Sequence, residues 1–175
     1  MPDEIFDVVN DADEVIGQEI RPEVHRLGLK HRAIHVLIFN GRGDLFLQKR
    51  SMRKDTFPGA WDSSASGHLD TGEDYDACTV RELREELAYA CPGVPQRLFK
   101  IGACPETGEE FVWVYRCQDE GPFTLHPEEI EEGGWFSPPR ITSWMRARPE
   151  EFASAFRLIW SRLGSAVTSS RERGS

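Results

Sequence analysis

The stretch GHLDTGEDYDACTVRELREELA, residues 67–88, says more about this protein than any other part of the chain. In its second half, apolar residues recur at the spacing of one helix face, so the sequence predicts a helix over residues 74–90. Three acidic residues at positions i, i+3 and i+4 share one stripe of that helix. They are Glu82, Glu85 and Glu86. Like charges at this spacing repel by roughly a few tenths of a kcal/mol, and a hard divalent cation relieves that repulsion.

The acidic stripe has a second interpretation, a solvated helix face on which Arg81 and Arg84 form partial ion pairs. The loop before the helix, residues 67–73, favours metal binding instead. Gly67 begins this loop and Gly72 stands near its end. Glycine allows the backbone to approach a ligand closely, so the loop and the helix together indicate a ligand site.

The spacing of the whole stretch resembles the signature motif of the Nudix hydrolases. Gly67 is followed by five residues, Glu73, seven residues and then the run RELREEL, residues 81–87. The one departure is Ala88, because the family motif has glycine at the helix end. Alanine is the better helix former, so the sequence predicts that the helix continues slightly beyond this position.

The resemblance implies a role for each matching residue. The metal ligands would be Glu82, Glu85, Glu86 and the backbone carbonyl of Ser66. Structural support would come from Gly67 and from an ion pair between Glu73 and Arg81. The implied cofactor is Mg²⁺ or Mn²⁺. The implied reaction is hydrolysis of a nucleoside diphosphate linked to a group X, or of a related small-molecule diphosphate, by a metal-activated water that attacks phosphorus.

Residues 31–68 are similar to the opening half of the isopentenyl diphosphate isomerases, which share the Nudix fold, and to bacterial Nudix hydrolases close to that branch. The isomerases have a catalytic cysteine where this chain has Ser66. The isomerases also have a further metal site, and His31, His68 and Glu110 match its residues. In this chain these residues are either metal ligands or hydrogen-bonded structural residues. Gly108 replaces one expected glutamate, and His25 lies near a ligand position without aligning to it. Hydrolysis is therefore favoured over isomerisation.

Basic residues after the second strand of the predicted sheet are candidates to bind the diphosphate. Arg50 suits bidentate phosphate contacts and Lys54 a point-charge contact, although both residue types also occur as plain surface cations. The base that activates water is either Glu82 or a glutamate of the acidic run 126–132, in which we prefer Glu129 and Glu132.

Three aromatic residues have two possible roles, and they are Phe57, Trp61 and Trp113. Each can stack on a base or a prenyl chain, but core packing is the more common role. A third function also stays open, that of a sensor that binds a diphosphate without hydrolysing it. The complete acidic stripe argues against a sensor.

Turn signals and periodicity divide the chain into helices and strands. Strands are predicted in a hairpin within 4–20 and at 33–39, 44–48, 62–66, 96–101 and 110–115. Helices are predicted at 21–28, 74–90 and 149–163, with an irregular acidic run at 119–134. The fold class is α+β, an α-β-α sandwich with a mixed sheet between helices. We expect one Nudix domain over residues 1–165 and a disordered tail over 166–175.

Composition excludes several classes of protein. Asp and Glu outnumber Lys and Arg by 30 to 21, giving a net charge of −9, which argues against binding a nucleic-acid polymer. Neither a signal peptide nor an apolar run long enough to span a membrane is visible, so we predict a cytoplasmic protein. The four cysteines lack a CxxC spacing and are predicted to be buried free thiols. The N-terminal hairpin offers an edge that can pair in a homodimer.

Overall fold

Strand β3, His31–Phe39, lies at the centre of the main sheet, and both of its faces are covered. Almost all of its residues are buried, which explains the near-continuous apolar run in the sequence. It pairs in parallel with β8, Glu110–Gln118, and antiparallel with β6, Ala65–His68. The parallel register places His31 beside Glu110.

The computed structural model describes residues 3–172, and the side chains of residues 3–164. The helices are α1 Arg21–Leu27, α2 Tyr75–Leu87, α3 Pro138–Ala147 and α4 Ser154–Glu172. The remaining strands are β1 Ile5–Val9, β2 Val15–Ile20, β4 Leu45–Arg50, β5 Trp61–Asp62, β7 Gln96–Ile101 and β9 Ile130–Phe136. β1 and β2 form a separate hairpin. The main sheet has the order β5-β4-β3-β8-β7, with β6 paired to β3 and β9 paired to β4.

Two apolar clusters lie on opposite faces of the main sheet. One cluster includes Ile141 of α3 and Phe156 of α4, and the other includes Leu83 of α2 packed with Ile34 of β3. Successive residues of a strand point to opposite faces, so β3 contributes to both clusters. The predicted α-β-α sandwich with a mixed sheet is confirmed.

The structure corrects two strand predictions. The strand predicted at 62–66 is divided, because Trp61–Asp62 pairs with β4 whereas Ala65–His68 pairs with β3. Strand β9 begins at Ile130, inside the run 119–134 that was predicted to be irregular. Strand β4 supplies its antiparallel backbone partners, which local sequence does not reveal.

The C-terminal part contains one helix more than predicted, because α3 lies in a segment for which the sequence predicts no helix. Helix α4 begins at Ser154, later than predicted, after a 3₁₀ turn at Pro149–Glu151. It continues to Glu172, so residues 166–172 of the predicted disordered tail have helical backbone. Residues 173–175 of that tail lie outside the described residues.

Helix α2 ends at Leu87, and the prediction that it continues beyond Ala88 is wrong. Ala88 adopts a left-handed conformation, with φ 51° and ψ 32°. Its N–H donates to the Arg84 carbonyl at 3.0 Å, and the Tyr89 N–H donates to the Leu83 carbonyl at 3.0 Å. This pair of bonds satisfies the last carbonyls of the helix, which outweighs the helix propensity of a single alanine.

The N-terminal hairpin is attached to the loop that precedes α2. The Thr71 N–H donates to the Ile5 carbonyl at 3.2 Å, and the Gly72 N–H donates to Asp7 Oδ2 at 2.9 Å. Helix α1 follows β2 directly, ends at Leu27 and is capped by Gly28, whose φ of 61° suits glycine. The attachment therefore holds the hairpin and α1 close to the acidic helix.

All four cysteines are free thiols, as predicted, although only Cys78 is fully buried. None of the helices within residues 3–172 has the length and apolar character needed to cross a membrane. Strand β2 pairs only with β1 in the described part of the chain. The sequence predicts that an edge of this hairpin can pair in a homodimer, and that pairing stays a prediction.

We expect Ala88→Gly to stabilise the protein by about 0.5–1 kcal/mol, because glycine adopts positive φ without a Cβ clash. This gain outweighs the greater entropy that glycine has in the unfolded chain. Urea unfolding followed by circular dichroism measures the change.

The matched control is Ala77→Gly, which places glycine at an exposed right-handed position of α2 and should destabilise the protein. If both substitutions destabilise the protein equally, the left-handed conformation of Ala88 carries no strain.

Candidate active site

Helix α2 is positioned by its cap and its apolar face. Asp74 is the N-cap, and its side chain accepts a hydrogen bond from the Ala77 N–H at 2.7 Å. Leu83 and Leu87 are buried against the sheet. Because the helix is fixed at its start and along this face, its glutamate stripe is directed toward β6.

The carboxylates of Glu82 and Glu86 lie against the backbone of β6. Glu86 Oε1 accepts a hydrogen bond from the Ser66 N–H at 2.7 Å, and Oε2 accepts one from the Gln48 amide at 3.4 Å. A Cβ added at Gly67 would lie 2.1 Å from Cδ of Glu82. Any side chain at this position would therefore displace Glu82, which explains sterically why residue 67 is a glycine.

These two carboxyl groups resist ionisation. Burial raises the pKa of Glu82 to about 9 and the charge of Glu86 adds to this, although Arg81 acts in the opposite direction. Burial also raises the pKa of Glu86 to about 7, although the Ser66 N–H lowers it. Two buried carboxyls that disfavour negative charge form an oxygen donor set that a hard divalent cation would stabilise. The residues present therefore fit such a cation.

The guanidinium of Arg81 connects the loop to the helix. Its Nε and Nη2 donate to the two carboxylate oxygens of Glu73 at 2.8 and 2.9 Å, and Nη2 also donates to the His68 carbonyl at 3.0 Å. Its Nη1 donates to Glu82 at 2.9 Å and to Glu85 at 3.2 Å. Burial would raise the pKa of Glu73, but the bonds from Arg81 hold it below its usual value.

Glu85 differs from the other two glutamates because its side chain is 56% exposed. One cluster of potential metal ligands has all of its donor atoms within 4.8 Å of one another, and it consists of three histidines. Residues 3–164 contain no second such cluster of acidic, histidine or cysteine side chains. The three glutamates do not meet at that spacing, since Arg81 lies between Glu82 and Glu85. Joint binding of a cation by all three requires Glu85 to release Arg81.

Three histidines come together beside the loop, namely His25 of α1, His31 of β3 and His68 of β6. Glu110 of β8 contacts two of them, with Oε1 2.7 Å from Nε2 of His68 and 3.4 Å from Nε2 of His31. Gly108, where the resemblance would place a glutamate, has no side chain to contribute. His25 completes the group although its position in the sequence does not align with a ligand.

His31 is the most informative member of this cluster, because only 1% of its surface is exposed. Its Nδ1 lies 2.9 Å from the Leu29 carbonyl oxygen, and its buried Nε2 faces Glu110 Oε1 at 3.4 Å without forming a well-shaped hydrogen bond. Burial would raise the pKa of Glu110, but His68 and His31 hold it well below its usual value. An imidazole nitrogen and a carboxylate oxygen that face each other are a pair of donors suited to a cation.

Two adjoining cavities of about 340 and 210 Å³ form one cleft across these groups. The residues that line both cavities are Arg21, Lys54, Ser66, Gly67 and His68. The smaller cavity contains the glutamates of α2. The larger one continues past the histidine cluster to the loop of residues 51–60. A molecule in this cleft can therefore contact both groups of potential metal ligands.

The predicted diphosphate-binding cations are placed differently from each other. Arg50 is 12% exposed, and its guanidinium donates to the Thr56 carbonyl and hydroxyl at 3.0 and 3.2 Å and to Asp62 at 3.3 Å. These bonds hold the loop of residues 51–60 and use three of the five N–H groups of Arg50, which also lines the larger cavity. Lys54 lines both cavities, as does Arg21, which the sequence analysis did not identify.

Of the two glutamates preferred as the base, only Glu129 lines the cleft, where its carboxylate pairs with the ammonium of Lys54. Glu132 is exposed on β9 opposite Lys49, and it lines neither cavity. The structure therefore corrects the prediction for Glu132. The reason is that β9 pairs with β4. Residues of β9 after Ile130, including Glu132, therefore follow β4 away from the cleft.

Sequence reasoning missed Arg21 and placed His25 only near a ligand position, although one further signal was available. They stand four residues apart, one helical turn, in a segment that was predicted to be a helix. Their shared face is directed into the larger cavity, which both residues line. The direction of that helix face depends on the contacts of the hairpin, so the sequence did not show that the face lines a cavity.

Comparison with known proteins gives concordant results. The family model described as NUDIX domain matches residues 29–156. A protein of Yersinia pestis named as an uncharacterized Nudix hydrolase is 36% identical over 154 residues, which cover 85% of this chain and 79% of that protein. An isopentenyl-diphosphate Delta-isomerase of Serratia proteamaculans is 31% identical over 165 residues, with coverage of 93% and 92%.

The solved structures agree with the fold. The crystal structure of DR0079 from Deinococcus radiodurans has a TM-score of 0.73 and 29% identity, and the match covers 82% of this chain and 90% of that one. The two proteins therefore share their architecture over most of their length.

The raised pKa of Glu82 predicts a pH-dependent effect on stability in the metal-free protein. The pKa of this carboxyl rises from 4.5 to about 9 on folding, so folding is favoured at low pH and this contribution is lost as the pH rises toward 9. At pH 8.5 in a chelator, Glu82→Gln should therefore be more stable than the wild type, and this difference should shrink as the pH falls toward 4.5. Thermal unfolding with and without Mg²⁺ measures this.

Glu131→Gln is the control, because Glu131 is exposed on β9 and pairs with Lys49. It should behave as the wild type does. Equal stability of wild type and Glu82→Gln from pH 5.5 to 8.5 would contradict the burial of an ionisable carboxyl at this position.

Proposed function

The chain belongs to the Nudix family, and from this premise we propose that it is a metal-dependent hydrolase that cleaves a diphosphate linkage in a small molecule. The observation that carries the proposal is the pair of buried carboxyls, Glu82 and Glu86, held against β6 at one end of a cleft. Their resistance to ionisation has little structural purpose unless a cation compensates for it.

The proposed metal ligands are Glu82, Glu85, Glu86 and the carbonyl of Ser66. When bound, Mg²⁺ or Mn²⁺ would neutralise phosphate oxygens and lower the pKa of a bound water. Arg81 supports this set by holding the loop to the helix. It also gives Glu85 a partner that the carboxylate can leave when a cation is present, because Glu85 is exposed.

Lys54 and Arg21 are the proposed diphosphate-binding residues, since both line the two cavities. Arg21 is fixed by Glu4 at 2.7 Å and by Asp55 at 3.1 Å, so its guanidinium does not have to be ordered when a substrate binds. Arg50 lines the larger cavity and is proposed to contact the diphosphate as well, and its bonds to Thr56 hold the loop that carries Lys54.

Glu129 is the proposed base that accepts the proton of the attacking water. Burial would raise the pKa of Glu129, but Lys54 lowers it, so the carboxylate is ionised in the free protein. A diphosphate competes with Glu129 for the ammonium of Lys54. Substrate binding thus weakens this ion pair and makes Glu129 a better proton acceptor at the time it is needed. Glu82 remains the alternative base.

A second cation centre is proposed at His25, His31, His68 and Glu110. Its imidazole-rich donor set favours a transition-metal ion such as Mn²⁺ or Zn²⁺ over Mg²⁺. The unpartnered Nε2 of His31 supports this proposal. The centre borders the larger cavity, so a cation there would add positive charge beside a bound diphosphate.

Isomerisation of isopentenyl diphosphate is the second candidate, because the Serratia isomerase matches almost the whole chain. Ser66 stands at the position of the catalytic cysteine, and serine is a much weaker acid than a thiol. A sensor that only binds a diphosphate is the third candidate. A location in the cytoplasm, where free thiols persist, remains our prediction.

The main test is release of phosphate or nucleotide from a panel of nucleoside diphosphate derivatives and isoprenoid diphosphates with Mg²⁺ or Mn²⁺. We expect Glu86→Gln to lower kcat at least about 100-fold, because an amide cannot supply the ionised ligand. The amide oxygen can still accept the Ser66 N–H bond, so the fold should survive. Glu131→Gln should keep wild-type activity.

Full activity in Glu86→Gln would sink the proposed mechanism. Isotope exchange at carbon in isopentenyl diphosphate, without hydrolysis, would favour the isomerase. Tight binding of a diphosphate with no product after long incubation would favour the sensor.

The second cation centre predicts that each chain binds two Mn²⁺ ions. Calorimetric titration of the metal-free protein with Mn²⁺ should reveal two sites, and His31→Asn should abolish one of them. Asparagine can keep the hydrogen bond to the Leu29 carbonyl while removing the nitrogen that faces Glu110. Two sites of unchanged affinity in His31→Asn would refute the histidine centre and leave the glutamate site unaffected.

A further inference from the structure

His35 of β3 is a buried polar residue to which the proposed function gives no role. Only 5% of its surface is exposed, yet its ring lines the larger cavity of the cleft. Ala33, two residues earlier, lies on the same face of the strand and lines the same cavity. His35 does not belong to the cluster of His25, His31 and His68. A polar side chain that is enclosed by protein but open to a cavity requires a hydrogen-bond partner.

One nitrogen of the His35 ring, Nδ1, is already bonded. It lies 2.7 Å from the hydroxyl oxygen of Ser63 and 3.6 Å from Oδ1 of Asp62. The Ser63 hydroxyl donates its single hydrogen to the Ala65 carbonyl at 3.2 Å, so its oxygen accepts a hydrogen bond from Nδ1. The nearby carboxylate oxygen also favours a proton on Nδ1. Burial lowers the pKa of His35, although Asp62 raises it, so the ring is neutral and carries its one proton on Nδ1.

The other nitrogen of the ring, Nε2, is therefore an unprotonated acceptor. It forms no hydrogen bond within residues 3–164. Unlike Nε2 of His31, it is not sealed inside the protein. Because the ring borders the larger cavity, Nε2 takes its partner from a water molecule or a ligand in that cavity. The bond at Nδ1 fixes the direction of this acceptor before any ligand binds.

The wall around His35 offers mostly apolar surface. The sequence analysis expected core packing for three aromatic residues, and Trp61 and Trp113 do pack against the apolar clusters. Phe57 joins neither cluster and instead adds its ring, which is 45% exposed, to this wall. Other apolar side chains of the wall are Val24, Ala33 and Ala153. A ligand that displaces water from Nε2 without offering a donor leaves a buried acceptor unpaired, which weakens binding.

The position of the diphosphate decides which part of a substrate reaches His35. Lys54 and Arg21, the proposed diphosphate-binding residues, line both cavities, whereas His35 lines only the larger one. The diphosphate therefore lies where the two cavities adjoin, and the organic group attached to it extends along the larger cavity past His35.

We propose that His35 is a specificity-determining residue whose Nε2 accepts a hydrogen bond from an O–H or N–H group of the substrate. This inference rests on the proposed function. The donor belongs to the organic group attached to the diphosphate, so the site prefers a group that carries a hydroxyl or amino function to a pure hydrocarbon. A hydroxyl donor has two sources, a sugar ring and a substituted carbon chain.

The first test compares kcat/KM for pairs of diphosphates that differ by one hydroxyl group. ADP is paired with 2′-deoxy-ADP and with 3′-deoxy-ADP, and dimethylallyl diphosphate is paired with its analogue that carries a terminal hydroxyl. The wild type should favour the hydroxyl-bearing member about tenfold in at least one pair, which also identifies the source of the donor. His35→Phe keeps a flat ring without nitrogens, so it should abolish this preference and leave activity on the hydroxyl-free member near the wild-type value.

His35→Gln is the matched variant, because its amide oxygen can replace Nε2 as an acceptor. It should keep part of the preference. Met52→Ala should behave as the wild type does, since Met52 is 67% exposed and lines neither cavity. Equal kcat/KM for both members of every pair in the wild type overturns the inference, and so does an unchanged preference in His35→Phe.

A second measurement uses the wild type alone and does not depend on how a variant folds. Nitrogen-15 NMR of His35 should show a proton on Nδ1 and none on Nε2. The Nε2 resonance should shift when the hydroxyl-bearing member of the preferred pair binds, and not when the hydroxyl-free member binds. A proton on Nε2 in the free protein overturns the inference.

Calorimetry with Mn²⁺ separates a substrate acceptor from a metal ligand. His35→Phe should bind as many Mn²⁺ ions as the wild type, because His35 lies outside the histidine cluster. Loss of one ion in this variant would make Nε2 a metal ligand and overturn the inference.

If the wild type hydrolyses no compound of the panel, the proposed function fails, and equilibrium binding decides the inference separately. Calorimetry with the same pairs should then show about tenfold tighter binding of the hydroxyl-bearing member in at least one pair, and His35→Phe should lose that difference. Equal affinity for both members of every pair, or no binding of any compound, refutes the role of His35.

Discussion

The contact between two buried carboxylates and the backbone of one short strand is the constraint on which the rest of this structure depends. Glu82 occupies the space that a side chain at residue 67 would need, and Glu86 accepts the N–H of Ser66. Both contacts require α2 to approach β6 closely. Burial disfavours ionisation of both carboxyls. The close packing of α2 on β6 therefore also creates a place where positive charge is favourable.

The supporting elements distribute charge around this contact. Arg81 binds Glu73 on the loop and also contacts Glu82 and Glu85, so one guanidinium connects three acidic residues. The N-terminal hairpin is bonded to the same loop through its backbone and Asp7. The hairpin in turn leads into α1, which supplies a histidine and an arginine to the cleft. A small N-terminal element thereby contributes to both proposed binding regions, the histidine cluster and the diphosphate subsite.

The residues that differ from expectation share one cause, which is competition between partners in three dimensions. Arg50 has the chemistry of a phosphate ligand, but three of its five N–H groups bond to Thr56 and Asp62 and hold the loop. Glu132 has the chemistry of a base, but its strand carries it out of the cleft. Ala88 has the propensity to extend a helix, but the capping bonds end it. In each case the neighbours in the folded chain decide the role of the side chain.

The sequence alone determined the sandwich fold and the helix with its acidic stripe, because these depend on periodicity within contiguous stretches, and residues 67–88 resemble the family motif closely enough to indicate the family. The tertiary structure alone decided which distant residues join that stripe. Glu129 enters the cleft and His25 joins His31 and His68 because strand pairing and the attached hairpin bring separate segments together. The position of Phe57 at the cavity edge was equally invisible in the sequence, since exposure and a left-handed backbone result from how the loop is anchored, and both are properties of the folded chain.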